Sequence, residues 1–175
     1  MNIPCSSNAK QHNGFTLVEV IVVIILVGIL AATASSKFTG SDTFEAHTFQ
    51  NSLVSALRLT QQRAMQQTKT SDGYCHQIVF DTTTNKRYGV PDRSNCGVTV
   101  FPNPFTPDAT GLDLTTSTYN VTFRLVTTGG GGNIVSFNSM GQPQSSCAGG
   151  CLINVSSSVE TVQVKIESEG YIHAL

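Results

Sequence analysis

The Glu19 carboxylate is the only charged side chain in the run of residues 15–34. As a helix at about 1.5 Å per residue, this run would extend roughly 30 Å, the thickness of the hydrocarbon core of a bilayer. A carboxylate at that depth costs about 2.5–3.5 kcal/mol on insertion scales, so it needs a partner. Cleavage after Gly14 would create an amine on Phe15, four residues before Glu19. The amine of one chain could then neutralise the carboxylate of another inside a bundle of such helices.

Other residue types that catalyse reactions or bind metals are present, but their spacing does not form a site. The histidines are scattered, and no phosphate-binding loop, nucleophile elbow or metal-spaced His/Glu pair accompanies them. Asp108 and Asp113 share a loop with proline and glycine and could give oxygen ligands to calcium, although such residues more often form turns. The sequence therefore predicts no enzyme, no cofactor and no metal, with calcium as an alternative.

A long N-terminal helix is predicted in two parts that differ in their surfaces. Residues 15–40 are predicted to be a membrane-spanning and assembly segment, because its run from 15 to 34 is apolar on all sides except for Glu19. In residues 42–68, side chains that can be buried recur every three or four residues, the period of a helix that buries one face; they are Phe49, Leu53, Leu57, Thr60 and Ala64. The opposite, Gln-rich face is predicted to be solvated; it comprises Gln61, Gln62, Arg63, Gln66 and Gln67.

The remainder of the chain alternates in short apolar and polar runs, a pattern typical of an antiparallel sheet. Strands are predicted at residues 77–80, 87–90, 98–101, 120–125, 134–137, 152–155 and 161–166. Three prolines exclude residues 101–107 from a sheet interior, so this segment is predicted to be an exposed loop. The predicted fold class is α+β, in which the second half of the N-terminal helix packs on an antiparallel β-sheet head.

The order of residues from Gly14 to Glu19, followed by the apolar run to Ala31, resembles the class III signal of type IV prepilins and type II secretion pseudopilins. This resemblance implies that a prepilin peptidase cleaves between Gly14 and Phe15 and then N-methylates Phe15. It also implies that Glu19 sets the register of the subunit during filament assembly. The implied fold is the type IV pilin fold.

The same resemblance implies a domain order and a location. Residues 1–14 would be a cleaved leader, residues 15–40 a single-pass inner-membrane helix, and residues 41–175 a periplasmic head that later enters a pilus or pseudopilus. The implied partners are the prepilin peptidase, other pilin or pseudopilin subunits and an inner-membrane assembly platform. Two alternatives remain: an uncleaved anchor, and a conventional secretory signal cut after the small-residue sequence at 32–34.

The cysteines are consistent with removal of a leader. The chain has five cysteines, and cleavage after residue 14 leaves four, an even number for an exported protein. In an oxidising compartment, two disulfides are expected. Of three possible connectivities, Cys75–Cys96 and Cys147–Cys151 are favoured because each pair brackets a turn-rich segment. A zinc site made by His76 with Cys75, Cys147 and Cys151 is a weaker alternative.

The C-terminal part carries a second, looser resemblance. A strand at residues 134–137 with Gly141, a strand near residue 152, another at 162–166 and the ending Gly-Tyr-Ile at 170–172 resemble the pseudopilin H and FimT-like minor pilin group. Within that group the pattern is most similar to minor pilin C of mannose-sensitive haemagglutinin pili. The implied function is a minor pilin of that type, with a type II secretion pseudopilin as the alternative.

A third functional class is a pilin-like module whose head binds DNA or a glycan. The net charge is −1, and loss of Lys10 with the leader leaves nine basic and eleven acidic side chains, or −2. The C-terminal residues 167–175 are acidic to neutral, so nucleic acid is not an expected partner. A basic patch made by Lys86, Arg87 and Arg93 remains an alternative.

Overall fold

A computed structural model describes residues 16–35, 41–67, 75–127 and 132–175 of the 175-residue chain. The chain divides into two compact units, Met1–Thr39 and Gly40–Leu175. In the first unit, helix α1 extends over Leu17–Ser35. The large apolar side chains of α1 are exposed on all sides of the helix. Within the described residues, no helix combines the length and the apolar character that crossing a membrane requires.

The second unit begins with helix α2, which extends over Ser41–Gln66. Its buried face contains Leu53, Leu57, Thr60 and Ala64, which recur at helical spacing as the sequence predicted, whereas the predicted Phe49 is half-buried. This face packs mainly on the last two strands of the chain and also contacts three earlier strands. The amphipathic helix predicted for residues 42–68 is therefore present, with ends that differ by one or two residues.

The described residues of the second unit form two antiparallel sheets. The strands are β1 (Gln77–Phe80), β2 (Arg87–Gly89), β3 (Leu112–Asp113), β4 (Thr122–Thr127), β5 (Ile134–Phe137), β6 (Pro143–Ser145), β7 (Cys151–Ser156), β8 (Thr161–Ile166) and β9 (Ile172–Ala174). One sheet has the order β3-β2-β1-β5-β6 and the other the order β4-β7-β8-β9. In β7 and β8, alternate side chains are buried, because one face of this sheet is turned to the core.

An aromatic cluster joins α2 to both sheets. The ring of Tyr88 in β2 meets the ring of Phe123 in β4 edge to face, with centroids 4.9 Å apart. Phe49 of α2 contacts Phe123 from the other side, at 6.3 Å. Burial raises the pKa of Tyr88 to about 12, although a hydrogen bond with Ser52 opposes the shift. A single core therefore lies between the helix and the two sheets.

The predicted fold class is confirmed: an N-terminal helix packs on antiparallel strands, consistent with the α+β type IV pilin fold. Three predicted strands, at residues 77–80, 134–137 and 161–166, have the observed bounds of β1, β5 and β8. The strand predicted at 98–101 is wrong, because this stretch follows a turn in which the Val98 amide donates to the Asn95 carbonyl. Strands β3, β6 and β9 were not predicted.

Candidate processing and assembly site

The predicted processing residues Gly14 and Phe15, with the leader 1–14, lie outside the described residues. Glu19 is described, and it occupies the first turn of α1 with an exposed side chain. The Glu19 amide donates a hydrogen bond to Thr16 Oγ1 at 3.3 Å, and the Val20 amide donates to the Thr16 carbonyl at 3.3 Å. Thr16 therefore caps the N-terminus of α1.

The cap explains how Glu19 is positioned. Thr16 and Glu19 have the Thr-x-x-Glu spacing of a capping box, in which the first residue caps the helix and the acidic residue follows in its first turn. A carboxylate in the first turn is also favoured by the positive end of the helix dipole. The sequence analysis did not assign a role to Thr16, although this spacing was visible. The cap holds Glu19 in the first turn of α1, and in the sequence Glu19 follows Phe15 by four residues.

The apolar surface of α1 is the second component of the site. Between Leu17 and Leu30, large apolar side chains are 43–75% exposed, and they point in every direction around the helix. Such a surface is stable only when other apolar groups cover it. The first unit thus combines one carboxylate with an uncovered apolar helix, which is the chemistry needed for side-by-side packing of identical or related helices.

In the head, polar side chains of α2 hold the C-terminal strands in place. The buried Gln50 amide donates to the carbonyls of Gln163 at 2.7 Å and Leu175 at 3.3 Å. About two helical turns further along α2, Arg58 donates to the Ile172 carbonyl at 2.8 Å. These bonds attach β8, β9 and the C-terminus to α2 through backbone groups. The sequence analysis missed both residues, because a polar side chain on an amphipathic helix is usually solvated.

Gln61 continues this row of donors and corrects a prediction. Its Nε2 donates to the Gly141 carbonyl at 2.7 Å and to the Gly170 carbonyl at 2.6 Å. Both glycines are buried and have positive φ, +80° and +95°, and a Cβ on Gly170 would overlap the Gly141 carbonyl. The prediction that Gln61 is solvated is therefore wrong, because its side-chain amide donates to one carbonyl in each of two turns that meet α2.

Arg63 was also predicted to be solvated, and it instead forms an ion pair. Its Nη1 lies 3.3 Å from Asp108 Oδ2, and the same oxygen contacts Arg93 Nη2. The other oxygen of Asp108 accepts the hydroxyl and the amide of Thr110. Burial alone would raise the pKa of Asp108, but the Thr110 hydrogen bonds and the Arg93 cation lower it below its usual range.

These contacts weaken the calcium alternative. Both carboxylate oxygens of Asp108 are used, and Asp113 Oδ1 accepts the amide and hydroxyl of Thr115. In the part of the chain that the structure describes, no group of three or more metal-ligating side chains comes together.

The cysteines form the two disulfides favoured from the sequence. Cys75 is joined to Cys96 with Cα atoms 5.2 Å apart, and Cys147 to Cys151 with Cα atoms 5.1 Å apart. The first disulfide attaches the segment between β2 and β3 to the start of β1. The zinc alternative is not supported, because its three thiols are engaged in these bonds.

The basic residues considered for DNA binding are occupied by contacts inside the head. Arg87 Nε lies 2.9 Å from Asp81 Oδ2, and the guanidinium lies 5.0 Å from the centre of the Phe101 ring. Arg93 is bound to Asp108, and Lys86 Nζ donates to a backbone carbonyl. These side chains serve the fold, so the observed contacts give no support to a phosphate-binding patch.

Asp81 has the most extensively bonded carboxylate in this part of the head. Burial would raise the pKa of Asp81, but hydrogen bonds from the Thr84 hydroxyl, the Thr83 amide and Arg87 lower it overall. The carboxylate therefore stays ionised, and it fixes the turn between β1 and β2.

Comparison with known proteins finds similarity in the N-terminal part of the chain. Residues 9–35 match the family model described as the prokaryotic N-terminal methylation motif. The similarity lies in the N-terminal segment, which contains Glu19 and helix α1. The match supports a type IV pilin-like or pseudopilin-like structural subunit, with processing by a prepilin peptidase, assembly with other pilins and membrane anchoring. No curated protein and no solved structure shows significant similarity to the chain.

Proposed function

We propose that this chain is a minor pilin-class subunit, which a prepilin peptidase cleaves between Gly14 and Phe15 and methylates at Phe15. The observation that carries the proposal is the methylation motif at residues 9–35, in which Gly14 is followed by Phe15 and, four residues later, by Glu19. The motif precedes a compact head of the α+β pilin type, as expected for a filament subunit.

In this proposal Glu19 registers the subunit in the filament. The Thr16 cap and the helix dipole keep the carboxylate in the first turn of α1, four residues after Phe15 in the sequence. An amine of one subunit and the Glu19 carboxylate of its neighbour would neutralise each other as the apolar helices pack. A buried charge without such a partner would be costly, so subunits out of register would be disfavoured.

The proposed location is the inner membrane, with residues 15–40 as a single-pass segment and the head in the periplasm. The apolar run at 15–34 and the two disulfides support this assignment, because disulfides persist in oxidising compartments. The resemblance of the C-terminal strands favours a minor pilin of mannose-sensitive haemagglutinin pili, similar to minor pilin C. A type II secretion pseudopilin is the alternative, since both systems use the same N-terminal motif.

The first test is the N-terminus of the mature protein, measured by intact mass and N-terminal sequencing of protein from membranes. We expect a chain that begins at N-methylated Phe15, and we expect Gly14→Leu to block the cleavage. A chain beginning at Ser35 would indicate ordinary secretion, and an intact Met1 would indicate an uncleaved anchor. Either result would contradict the proposal.

The second test separates the two filament systems. The presence of the protein is measured in pili sheared from cells. In parallel, its location is determined in cells that lack the secretion pseudopilus. Recovery in purified pili supports the minor pilin, whereas loss of protein secretion on deletion of this chain supports the pseudopilin.

A further inference from the structure

A histidine of α2 lies between two groups that connect the helix to the sheet formed by β4, β7, β8 and β9. His47 belongs to the second turn of α2, and each of its ring nitrogens faces one partner. Nδ1 lies 3.3 Å from Gln50 Oε1, and Nε2 lies 3.5 Å from Glu160 Oε1. Glu160 belongs to the turn between β7 and β8. The histidine therefore touches both the buried Gln50 and a turn of the sheet.

Gln50 determines which ring nitrogen of His47 carries a hydrogen. The Gln50 Nε2 donates to the carbonyls of Gln163 and Leu175, so the nitrogen of this amide must face those two acceptors. Its Oε1 consequently faces His47, and a carbonyl oxygen can only accept a hydrogen bond. His47 Nδ1 must therefore be the donor. A neutral ring with its hydrogen on Nδ1 has a lone pair on Nε2.

Glu160 determines the state of the other ring nitrogen. The Glu160 Oε1 atom is inaccessible to solvent and accepts no hydrogen bond from any of the residues that the structure describes. A buried acceptor without a donor is costly. A neutral His47 would place its Nε2 lone pair against this oxygen, whereas the imidazolium ion places a hydrogen and a positive charge there. Both contacts of the ring are satisfied only when His47 carries two hydrogens.

The other charged groups on the nearby strands are paired with one another. Glu167 contacts Lys165 at 2.8 Å and His173 at 3.3 Å. Among residues 41–67, 75–127 and 132–175, Glu160 is the one group that forms an ion pair with His47. Glu45 of α2 has no ion pair within the same ranges. Glu160 is therefore the charged group whose contact with His47 changes when the ring gains or loses its second hydrogen.

We propose that His47 is a pH-dependent link between α2 and the β7–β8 turn, formed when both ring nitrogens carry hydrogen and broken when Nε2 loses its hydrogen. An unperturbed histidine titrates near about pH 6.5, so the link is complete below that pH and is lost as the pH rises above it. The bonds from Gln50 to Gln163 and Leu175 do not need the second hydrogen, so the strands stay attached when the turn is released. This property goes beyond the proposed function, because it is independent of the filament that the chain enters.

The first measurement is the protonation of the ring, made on the full chain in detergent micelles with isotope-labelled histidine. NMR spectra of the ring nitrogens report which of them carry hydrogen, and His47→Gln identifies the signals of residue 47. We expect both nitrogens of His47 to carry hydrogen at about pH 5, and Nδ1 alone to carry it at about pH 8. A neutral ring with its hydrogen on Nε2 would overturn the proposal, because Gln50 would then not orient the histidine.

The second measurement is hydrogen–deuterium exchange of the β7–β8 turn in the same full chain. The Ser157 amide donates to the Glu160 carbonyl, and the Glu160 amide donates to the Ser157 hydroxyl. After correction for the intrinsic pH dependence of exchange, protection of these amides should fall about three- to fivefold between about pH 5 and about pH 8. This is the size expected when a partly exposed ion pair is lost.

Two matched variants assign this effect to the proposed link. Glu160→Gln should reduce the fall in protection to below about 1.5-fold, because glutamine has no charge to pair with His47. Glu167→Gln removes the acidic partner of His173 instead, and it should leave the fall in protection as in the wild type. Equal falls in the wild type and Glu160→Gln, no fall in the wild type, or loss of the effect in Glu167→Gln would each overturn the proposal.

Discussion

Replacing Gln61 by methionine tests whether the row of donors on α2 stabilises the head. Methionine has nearly the length and volume of glutamine but no N–H group, so the change removes two hydrogen bonds with little change in packing. The carbonyls of Gly141 and Gly170, at 2.7 and 2.6 Å from the amide nitrogen, would lose this donor in a buried position. Gln62→Met is the matched control, because Gln62 is the exposed neighbour on the same helix.

The size of the effect follows from the two bonds. Each hydrogen bond contributes about 0.5–1.5 kcal/mol net, and a buried acceptor left without a donor costs about 1–3 kcal/mol. For two acceptors left without a donor, the combined cost would be about 2–6 kcal/mol. Water can reach part of this region because Gln61 is only partly buried, so the lower half of that range applies. We expect Gln61→Met to lower the free energy of unfolding by about 2–4 kcal/mol. Gln62→Met should change it by less than about 0.5 kcal/mol.

Urea unfolding of the fragment Gly40–Leu175, followed by circular dichroism, measures both free energies. The slope of the unfolding free energy against urea should be the same in both variants, since neither changes the surface exposed on unfolding. The reasoning would be refuted by a loss below about 1 kcal/mol for Gln61→Met, or by equal losses in the two variants.

Three further predictions concern the anchor, the disulfide and the pH dependence. Glu19→Ala should be cleaved normally but recovered in filaments at a small fraction of the wild-type level, and normal recovery in a pilus preparation would contradict the registration role. Replacing Cys75 and Cys96 by serine should lower the free energy of unfolding, measured in urea, by about 3 kcal/mol. This is the chain-entropy value for a disulfide with a sequence separation of 21. A loss below about 1 kcal/mol would argue against stabilisation of the head by this disulfide. Because the pKa of Asp81 is lowered in the folded head, its stabilisation is present above the unfolded pKa near 3.9 and is lost as the pH falls below about 4. Asp81→Asn should therefore make thermal stability less dependent on pH between about 4 and 2, and an unchanged slope would refute this.

Local periodicity was sufficient to predict the elements that bury one face. Residues 134–137 and 161–166 alternate clearly, and they form β5 and β8 with the predicted bounds, because alternation reflects one buried face of a sheet. The helix period in residues 42–68 predicted α2 for the same reason. The class of protein was implied by the resemblance of the Gly14-to-Glu19 order to prepilin signals, and residues 9–35 match the prokaryotic N-terminal methylation motif.

Tertiary contacts explain the errors. Residues 98–101 alternate as a strand would, but the Cys75–Cys96 disulfide and the Arg87–Phe101 contact hold this segment in another path. The role of Gln61 depends on carbonyls that follow it by 80 and 109 residues in the chain, and no local pattern reports such distant partners. The short β6 was not predicted, because it begins at Pro143, a residue that cannot donate to a strand ladder. Antiparallel pairing with β5 stabilises β6, although the residues of β6 have low strand propensity of their own.

The bond from Arg58 to the Ile172 carbonyl also has a consequence for aggregation. Tyr171 accepts from Glu167 and Leu175 donates to Gln163, so the intervening Ile172 carbonyl points away from β8, toward the outer edge of the sheet. An uncovered outer edge is a template for strands of other chains. Because the arginine already occupies this acceptor, a foreign strand must first displace a charged side chain. The Arg58 bond therefore makes it harder for a strand of another chain to extend this sheet at β9.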